Sequence, residues 1–161
     1  MTKSNKKGFT LIELLVVIAI IGLLSTLAVV ALNSARQKSR DSKRVADIKQ
    51  IQTALELYFA DANSYPTAVT AVELGTGNQR ALCSNGGWKA TCAMGDTTYM
   101  GLVPAKPLPQ DSTCNSTATL PSNLYQYTSA AGTTYTITFC IGGAVGDLTA
   151  LGHTASPNGI Q

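Results

Sequence analysis

The chain contains an unbroken apolar segment close to its start. Residues 14–35 carry no charged side chain, and most of them are Leu, Ile, Val or Ala. A helix needs about 20 apolar residues to cross the hydrocarbon core of a bilayer, so this segment is long enough to span one. The alternative is a buried core helix, but the remaining chain is too small and too polar to surround a helix that is apolar on every side. The pattern therefore predicts a membrane-spanning helix.

The helical pattern continues beyond this segment with apolar residues on one face only. Between residues 45 and 62 apolar side chains recur every three or four positions, with polar ones between them. The first stop signal is the Asn-Ser-Tyr-Pro run at 63–66. We predict one helix from about Phe9 to Ala62, about 80 Å long. Its predicted packing stripe consists of Val45, Ile48, Ile51, Leu55, Tyr58 or Phe59, and Ala62.

A cleaved secretory signal is a second interpretation of the N-terminal segment. The start is basic, with Lys3, Lys6 and Lys7, and small residues near Ala35 would permit ordinary cleavage there. However, the apolar stretch exceeds the usual length of about 7–15 residues. Glu13 also places a carboxylate at the beginning of the stretch, and the helical pattern does not stop at Ala35. These features favour a retained helix.

Residues 63–161 have a different composition, rich in Thr, Ser, Ala, Gly and Asn. Near the end, two alternating runs flank Ala130-Ala131-Gly132, and this arrangement predicts a β-hairpin with one apolar face. That face is the natural partner of the helical stripe. The stretch 75–121 gives weak strand signals and is predicted to be mostly loop. The overall prediction is an α+β fold, with a long helix packed on a small antiparallel sheet. The alternating apolar residues are Tyr125, Tyr127, Tyr135, Ile137, Phe139 and Ile141.

All four cysteines follow the predicted helix, and they allow three pairings. We favour Cys83–Cys92, closed by the turn-forming residues 84–87, and Cys114–Cys140, which would join a loop to the hairpin. Zinc sites typically use closely spaced Cys-x-x-Cys pairs, which this sequence lacks. Disulfides imply an oxidising compartment, so residues 63–161 are expected outside the cytoplasm.

Charge is distributed unevenly along the chain, although the net charge is only +3. Residues 36–44 carry five basic side chains against the single carboxylate of Asp41, whereas acidic residues outnumber basic ones after residue 49. One interpretation is a solvated basic stretch that touches anionic headgroups. The other is charge pairing with acidic positions of a second copy of the chain. The sequence leaves both open.

Enzymatic chemistry finds little support in the sequence. Charged residues make up 13% of the chain, histidine occurs once, and familiar catalytic and phosphate-binding motifs are missing. His153 is expected at the surface. Gly142-Gly143 and Gly146-Asp147 could form part of a calcium loop, but this segment holds one carboxylate and calcium sites usually use several oxygen charges. We therefore expect no enzyme activity, no cofactor and no metal site.

The run from Lys6 to Leu14, Lys-Lys-Gly-Phe-Thr-Leu-Ile-Glu-Leu, resembles the class III signal of type IV prepilins and type II secretion pseudopilins. The resemblance extends through the helix to residue 66. It implies that a prepilin peptidase cuts between Gly8 and Phe9 and methylates the new amine of Phe9. It also implies the pilin fold, with a leader at 1–8, a transmembrane and filament-core helix at 9–35, the amphipathic half of that helix at 36–62, and a globular head at 63–161.

The same resemblance implies the function and the partners. The chain would be a structural subunit of a type IV pilus-like helical filament or, alternatively, a pseudopilin of a type II secretion or competence pseudopilus. Its partners would be other copies of itself, the peptidase, and an inner-membrane assembly platform with its ATPase. Nucleic acid would be an indirect partner, in DNA uptake only. The subunit would be a single-pass inner-membrane protein before assembly, and part of an extracellular pilus or periplasmic pseudopilus afterwards.

Glu13 is the ionisable residue whose position most needs an explanation. It lies one helical turn, about 6 Å, from Phe9, and a carboxylate at membrane depth costs at least about 2.5 kcal/mol. One interpretation is a carboxylate near the interface, where the positive end of the helix dipole favours it. The other is that Glu13 pairs with the cleaved Phe9 amine of a neighbouring subunit. In this view Glu13 only destabilises the unassembled subunit, and cleavage permits assembly.

Overall fold

The computed structural model describes residues 8–109, 114 and 124–161. They form a long helix, α1, followed by eight strands, and the chain divides into two compact units, Met1–Arg36 and Gln37–Gln161. The observed elements are α1 (Leu11–Ala62), β1 (Ala68–Glu73), β2 (Ala81–Cys83), β3 (Gly87–Lys89), β4 (Thr98–Met100), β5 (Gln126–Ser129), β6 (Thr136–Ile141), β7 (Leu151–Ser156) and β8 (Gly159–Ile160).

In the unit Met1–Arg36, the described residues beyond the cap of α1 are helical and all of them are exposed. By length and composition, α1 contains a segment that could cross a membrane, and none of that segment is buried. The single helix predicted from Phe9 is confirmed apart from its start, which lies two residues later because Thr10 caps it. It ends at Ala62, where Asn63 adopts a φ of 50° that stops the helix.

In the unit Gln37–Gln161, α1 packs on a five-stranded antiparallel sheet of order β1-β5-β6-β7-β8. The predicted hairpin is confirmed as β5 and β6, in which Tyr127 pairs with Ile137. Its predicted apolar face and the middle of the helical stripe form one core. The stripe is wrong at its end, since Ala62 is exposed, and Val45 and Phe59 are only partly buried.

A second, three-stranded sheet of order β3-β2-β4 lies within residues that the sequence predicted to be mostly loop. These strands hold nine of the 35 residues from 75 to 109, so the prediction of mostly loop is confirmed there, although the three strands themselves were not predicted. Its part at 110–113 and 115–121 falls outside the described residues. The strands were missed because each has only three residues, too few to show a period of two. Trp88 on β3 joins this sheet to the larger one, with its ring edge-on to Tyr127 and centroids 5.2 Å apart.

Candidate functional site

The proposed cleavage point lies at the start of the described chain and is accessible. Gly8 is exposed, nothing would come within 4 Å of a Cβ added to it, and Phe9 is 85% exposed. Both residues precede α1, so the peptide bond between them lies outside regular structure. A protease needs a bond that is accessible in this way. The basic residues Lys3, Lys6 and Lys7 lie outside the described residues.

Glu13 and Thr10 form a reciprocal cap at the start of α1. The Thr10 backbone N–H and the Thr10 hydroxyl donate hydrogen bonds to Glu13 Oε2 at 2.9 and 2.6 Å, and the Glu13 N–H donates to Thr10 Oγ1 at 3.3 Å. This is a capping box, which satisfies backbone donors that a helix start otherwise leaves unpaired. The expectation that Glu13 only destabilises the single chain is therefore wrong, since the carboxylate stabilises its own helix.

The apolar side chains after this cap have no protein partner among the described residues. Leu11 is 81% exposed, Leu23 is 63% exposed and Val30 is 70% exposed, and the other large side chains of the segment are similar. Soluble proteins rarely expose contiguous apolar surface of this extent, which usually marks a membrane or protein interaction site. The segment can therefore leave water by entering a bilayer or by packing against other apolar helices.

Asp41, in the basic stretch 36–44, is buried and accepts hydrogen bonds from two consecutive backbone N–H groups. Gly142 N and Gly143 N donate to its two carboxylate oxygens at 2.9 and 2.8 Å, and Arg44 forms a buried ion pair with it. Both side chains are fully buried. These two residues are therefore neither solvated nor available to a second copy, so the sequence interpretations of residues 36–44 can hold only for the exposed cations. Gly142 and Gly143, which the sequence suggested as part of a calcium loop, direct their backbone N–H groups to Asp41.

Further along α1, Asp47 is also buried and accepts a hydrogen bond from the hydroxyl of Tyr125 at 3.0 Å. Burial raises the pKa of the Asp47 carboxyl, while the Tyr125 bond and the Lys43 charge oppose that change. Burial, reinforced by Asp47, also raises the pKa of Tyr125. Sequence reasoning missed this group, although the spacing of Asp41, Arg44, Asp47 and Ile48 places it on the buried face of the helix.

The structure joins Cys83 to Cys92 and Cys114 to Cys140, the pairing favoured from the sequence. The Cα atoms of the two pairs lie 5.4 and 5.9 Å apart, within the usual range for disulfides. The first disulfide links β2 to the segment that follows β3, and the second ties Cys114 to the central strand β6. Which thiols are joined in the cell stays a prediction for peptide mapping.

His153 is not at the surface, contrary to the prediction, because it lies on β7 with 8% of its side chain exposed. Its Nε2 lies 2.7 Å from the Thr149 carbonyl oxygen and its Nδ1 lies 3.1 Å from the Gln161 oxygen. The ring also packs beside Phe139. His153 therefore has a structural environment. Over the part of the chain that the structure describes, no group of three or more His, Cys, Asp or Glu side chains could hold a metal ion.

Comparisons with known proteins agree with this arrangement. Residues 3–29 match the family model described as the prokaryotic N-terminal methylation motif. Over 111 residues the chain is 36% identical to the type II secretion system core protein G of Aeromonas hydrophila, covering 69% of this chain and 70% of the relative. Over 69 residues it is 41% identical to the protein of the same name from Escherichia coli, covering 43% of this chain and 48% of the relative.

A second kind of relative is named for a pilus. The chain is 42% identical over 82 residues to the type IV wide pilus major component PilA4 of Thermus thermophilus, covering 51% of this chain and 55% of the relative. The chain thus spans about half the length of this relative and of the Escherichia coli one. No solved structure matches the chain.

Proposed function

The chain belongs to the family of type IV pilins and type II secretion pseudopilins, and from that premise we propose that it is a structural subunit of a helical filament, not an enzyme. The observation that carries the proposal is the exposed apolar part of α1, which begins directly after Gly8, Phe9 and the Glu13 cap. A bundle of identical helices offers this surface an apolar environment outside the membrane. A head-to-tail contact that does not close builds a filament.

The unassembled subunit would span the inner membrane once, with residues 9–35 in the bilayer and residues 63–161 outside the cytoplasm. A prepilin peptidase would remove residues 1–8 by cutting between Gly8 and Phe9, and would methylate the Phe9 amine. That amine does not exist before cleavage. In the filament, Glu13 would exchange its Thr10 contacts for the Phe9 amine of a neighbour, so cleavage permits assembly. An inner-membrane platform and its ATPase would extract the subunit from the membrane. The proposed function requires no cofactor and no metal.

Two filaments are consistent with this role. A surface pilus is our main proposal, and a secretion or competence pseudopilus is the alternative. The alternative draws support from the Aeromonas hydrophila core protein G, because that similarity covers 69% of the chain and so includes part of the head. The two proposals are distinguished by the location of the filament and by the effect of deleting the chain. A pilus subunit gives long surface filaments in electron micrographs, whereas deletion of a pseudopilin blocks protein export or DNA uptake.

Intact-mass measurement of sheared filaments tests the role itself. We expect a subunit that lacks residues 1–8 and carries one added methyl group. A variant with a bulky residue at Gly8, such as Gly8→Leu, should remain uncleaved in the membrane and yield no filament. Purified filaments that still contain Met1 would contradict the proposal.

A further inference from the structure

Exposed charges of opposite sign lie at the two ends of the part of α1 that belongs to the unit Gln37–Gln161. Lys38 and Lys43 are exposed near its beginning, Lys49 is exposed at its middle, and Glu56 and Asp61 are exposed near its end. None of these five side chains makes an ion pair with another residue that the structure describes. Asp41, the one carboxylate of the basic stretch, is bound to Arg44, Gly142 and Gly143 and is not available to the exposed lysines. The Lys43 charge acts on the buried Asp47 carboxyl, but the two side chains form no ion pair.

The two carboxylates are held in place by neutral groups. The hydroxyl of Tyr65 donates to both oxygens of Glu56 at 3.1 Å, and the hydroxyl of Tyr99 donates to Asp61 at 2.8 Å. Asp61 also lies in the last turn of α1, where the negative end of the helix dipole disfavours a carboxylate. The Tyr99 bond offsets part of this cost without neutralising the charge, and a cation supplied by another molecule would neutralise it.

The spacing of Lys43 and Glu56 suits two parallel copies of the chain. The two residues are 13 positions apart, which corresponds to about 20 Å along the axis and about 140° around it. They therefore lie on opposite flanks of α1, on either side of the buried face formed by Ile48, Ile51 and Leu55. When two parallel helices pack side by side, their opposite flanks face each other. A displacement of about 20 Å then brings Lys43 of one copy level with Glu56 of the next.

We propose that the two flanks of α1 that carry Lys43 and Glu56, called here the charged strip, form the contact between the heads of successive subunits. Lys43 of one copy pairs with Glu56 of its neighbour. The contact uses different surfaces on the two copies and stays open, as growth of a filament requires. An anionic membrane surface fits the lysines but not the two acids, so the pattern as a whole favours a second copy.

This inference rests on the proposed function and is tested by charge reversal in the full chain. Lys43→Glu and Glu56→Lys, each alone, should weaken each subunit addition about fivefold, the upper range for an exposed pair, and so reduce the yield of sheared filament. The double variant should restore the yield. Arg80→Glu and Asp147→Lys are matched controls, because both residues are exposed and lie outside the strip.

Glu56 also binds Tyr65, so replacing it could reduce filament yield by disturbing the fold of the head. A second measurement therefore tests the contact directly. Subunits carrying Lys43→Cys and subunits carrying Glu56→Cys are expressed together, and the filaments are treated with a short bifunctional thiol reagent. We expect crosslinked dimers that contain one subunit of each kind. In one outcome the native chain forms filaments, but neither crosslinking nor rescue by the double variant occurs. That result would contradict the contact through the charged strip and leave the filament role intact. If the native chain forms no filament, the proposed function fails instead.

Discussion

The carboxylate of Asp41 accepts a hydrogen bond from the backbone N–H of Gly142 at 2.9 Å, although 101 positions separate the two residues. A second bond from Gly143 completes the contact, which fastens the first buried residue of α1 to the segment that follows β6. The interaction supplies a carboxylate to two backbone donors, a buried one at Gly142 and a partly buried one at Gly143. It therefore fixes the position of the helix along the sheet.

Asp41→Asn should destabilise the head by about 2 kcal/mol. An amide offers one acceptor oxygen, so one of the two backbone N–H groups faces a donor, and a buried unsatisfied group costs about 1–3 kcal/mol. The measurement is urea unfolding of the full chain in detergent, compared with Ser42→Asn, an exposed neighbour on the same helix. Equal stability of the two variants would show that the contact contributes nothing.

Glu13→Leu should abolish filament assembly while membrane insertion and leader cleavage continue. A neighbour's Phe9 amine would be left as a buried, unpaired cation, which typically costs about 3–5 kcal/mol and weakens each addition by hundreds-fold or more. Gly8 and the leader are unchanged, so the peptidase should still cut. The comparison is between the cleaved membrane pool and sheared filament.

Thr10→Val separates the two contacts of Glu13. It removes the hydroxyl that bonds to the carboxylate and keeps the carboxylate itself. Loss of the cap should cost about 1 kcal/mol of local helix stability, yet filaments should still form. Normal filament yield from Glu13→Leu would show that apolar packing alone drives assembly.

The core tyrosines should resist ionisation. Burial, together with Glu56, raises the pKa of Tyr65 to about 12, and burial also raises the pKa values of Tyr127 and Tyr135. Because a raised folded pKa favours the protonated form, the stabilisation is complete below the unfolded value of about 10 and is lost as the pH rises through the folded pKa. Absorbance at 295 nm should show delayed ionisation in the native head and titration near pH 10 in urea. Titration of every tyrosine near pH 10 in the native protein would contradict the burial.

All four cysteines should be paired, Cys83 with Cys92 and Cys114 with Cys140. Mass spectrometry of non-reduced peptides tests this pairing, and each bond should add about 2–4 kcal/mol to stability. A peptide joining Cys83 to Cys114 would overturn the pairing. Free thiols in all four positions would also overturn the assignment of the head to an oxidising compartment.

The elements that the sequence predicted correctly are those with a long run of regular spacing. The helix and the β5–β6 hairpin repeat their apolar positions often enough to be recognised, and Asn63 marks the helix end. Strand β7 reads Leu-Gly-His-Thr-Ala-Ser, with little alternation and few branched residues, and it was missed together with the burial of His153. The place of Asp41 could not be predicted, because its partners are backbone groups brought close only by the completed sheet.

The candidate site divides in the same way. Gly8, Phe9 and Glu13 stand out in the sequence because they lie in one short run before the apolar segment. The hydrogen bond between Thr10 and Glu13 has the three-residue spacing of a capping box, so it could have been predicted from the sequence. The side of α1 that the head covers follows from the apolar stripe, so the opposite flanks of Lys43 and Glu56 could also have been predicted from the sequence. In contrast, the hydroxyl of Tyr65 that binds Glu56 is brought close only by the folded chain.

Trp88 gives the molecule an intrinsic optical reporter. It is the one tryptophan of the chain, and its ring lies edge-on to Tyr127 between the small sheet and the large one. Its emission therefore depends on whether the two sheets remain together. Separation of the sheets would expose more of the partly buried indole to water and shift its emission to longer wavelengths. The integrity of the head can therefore be followed in membranes and in filaments without attaching a dye.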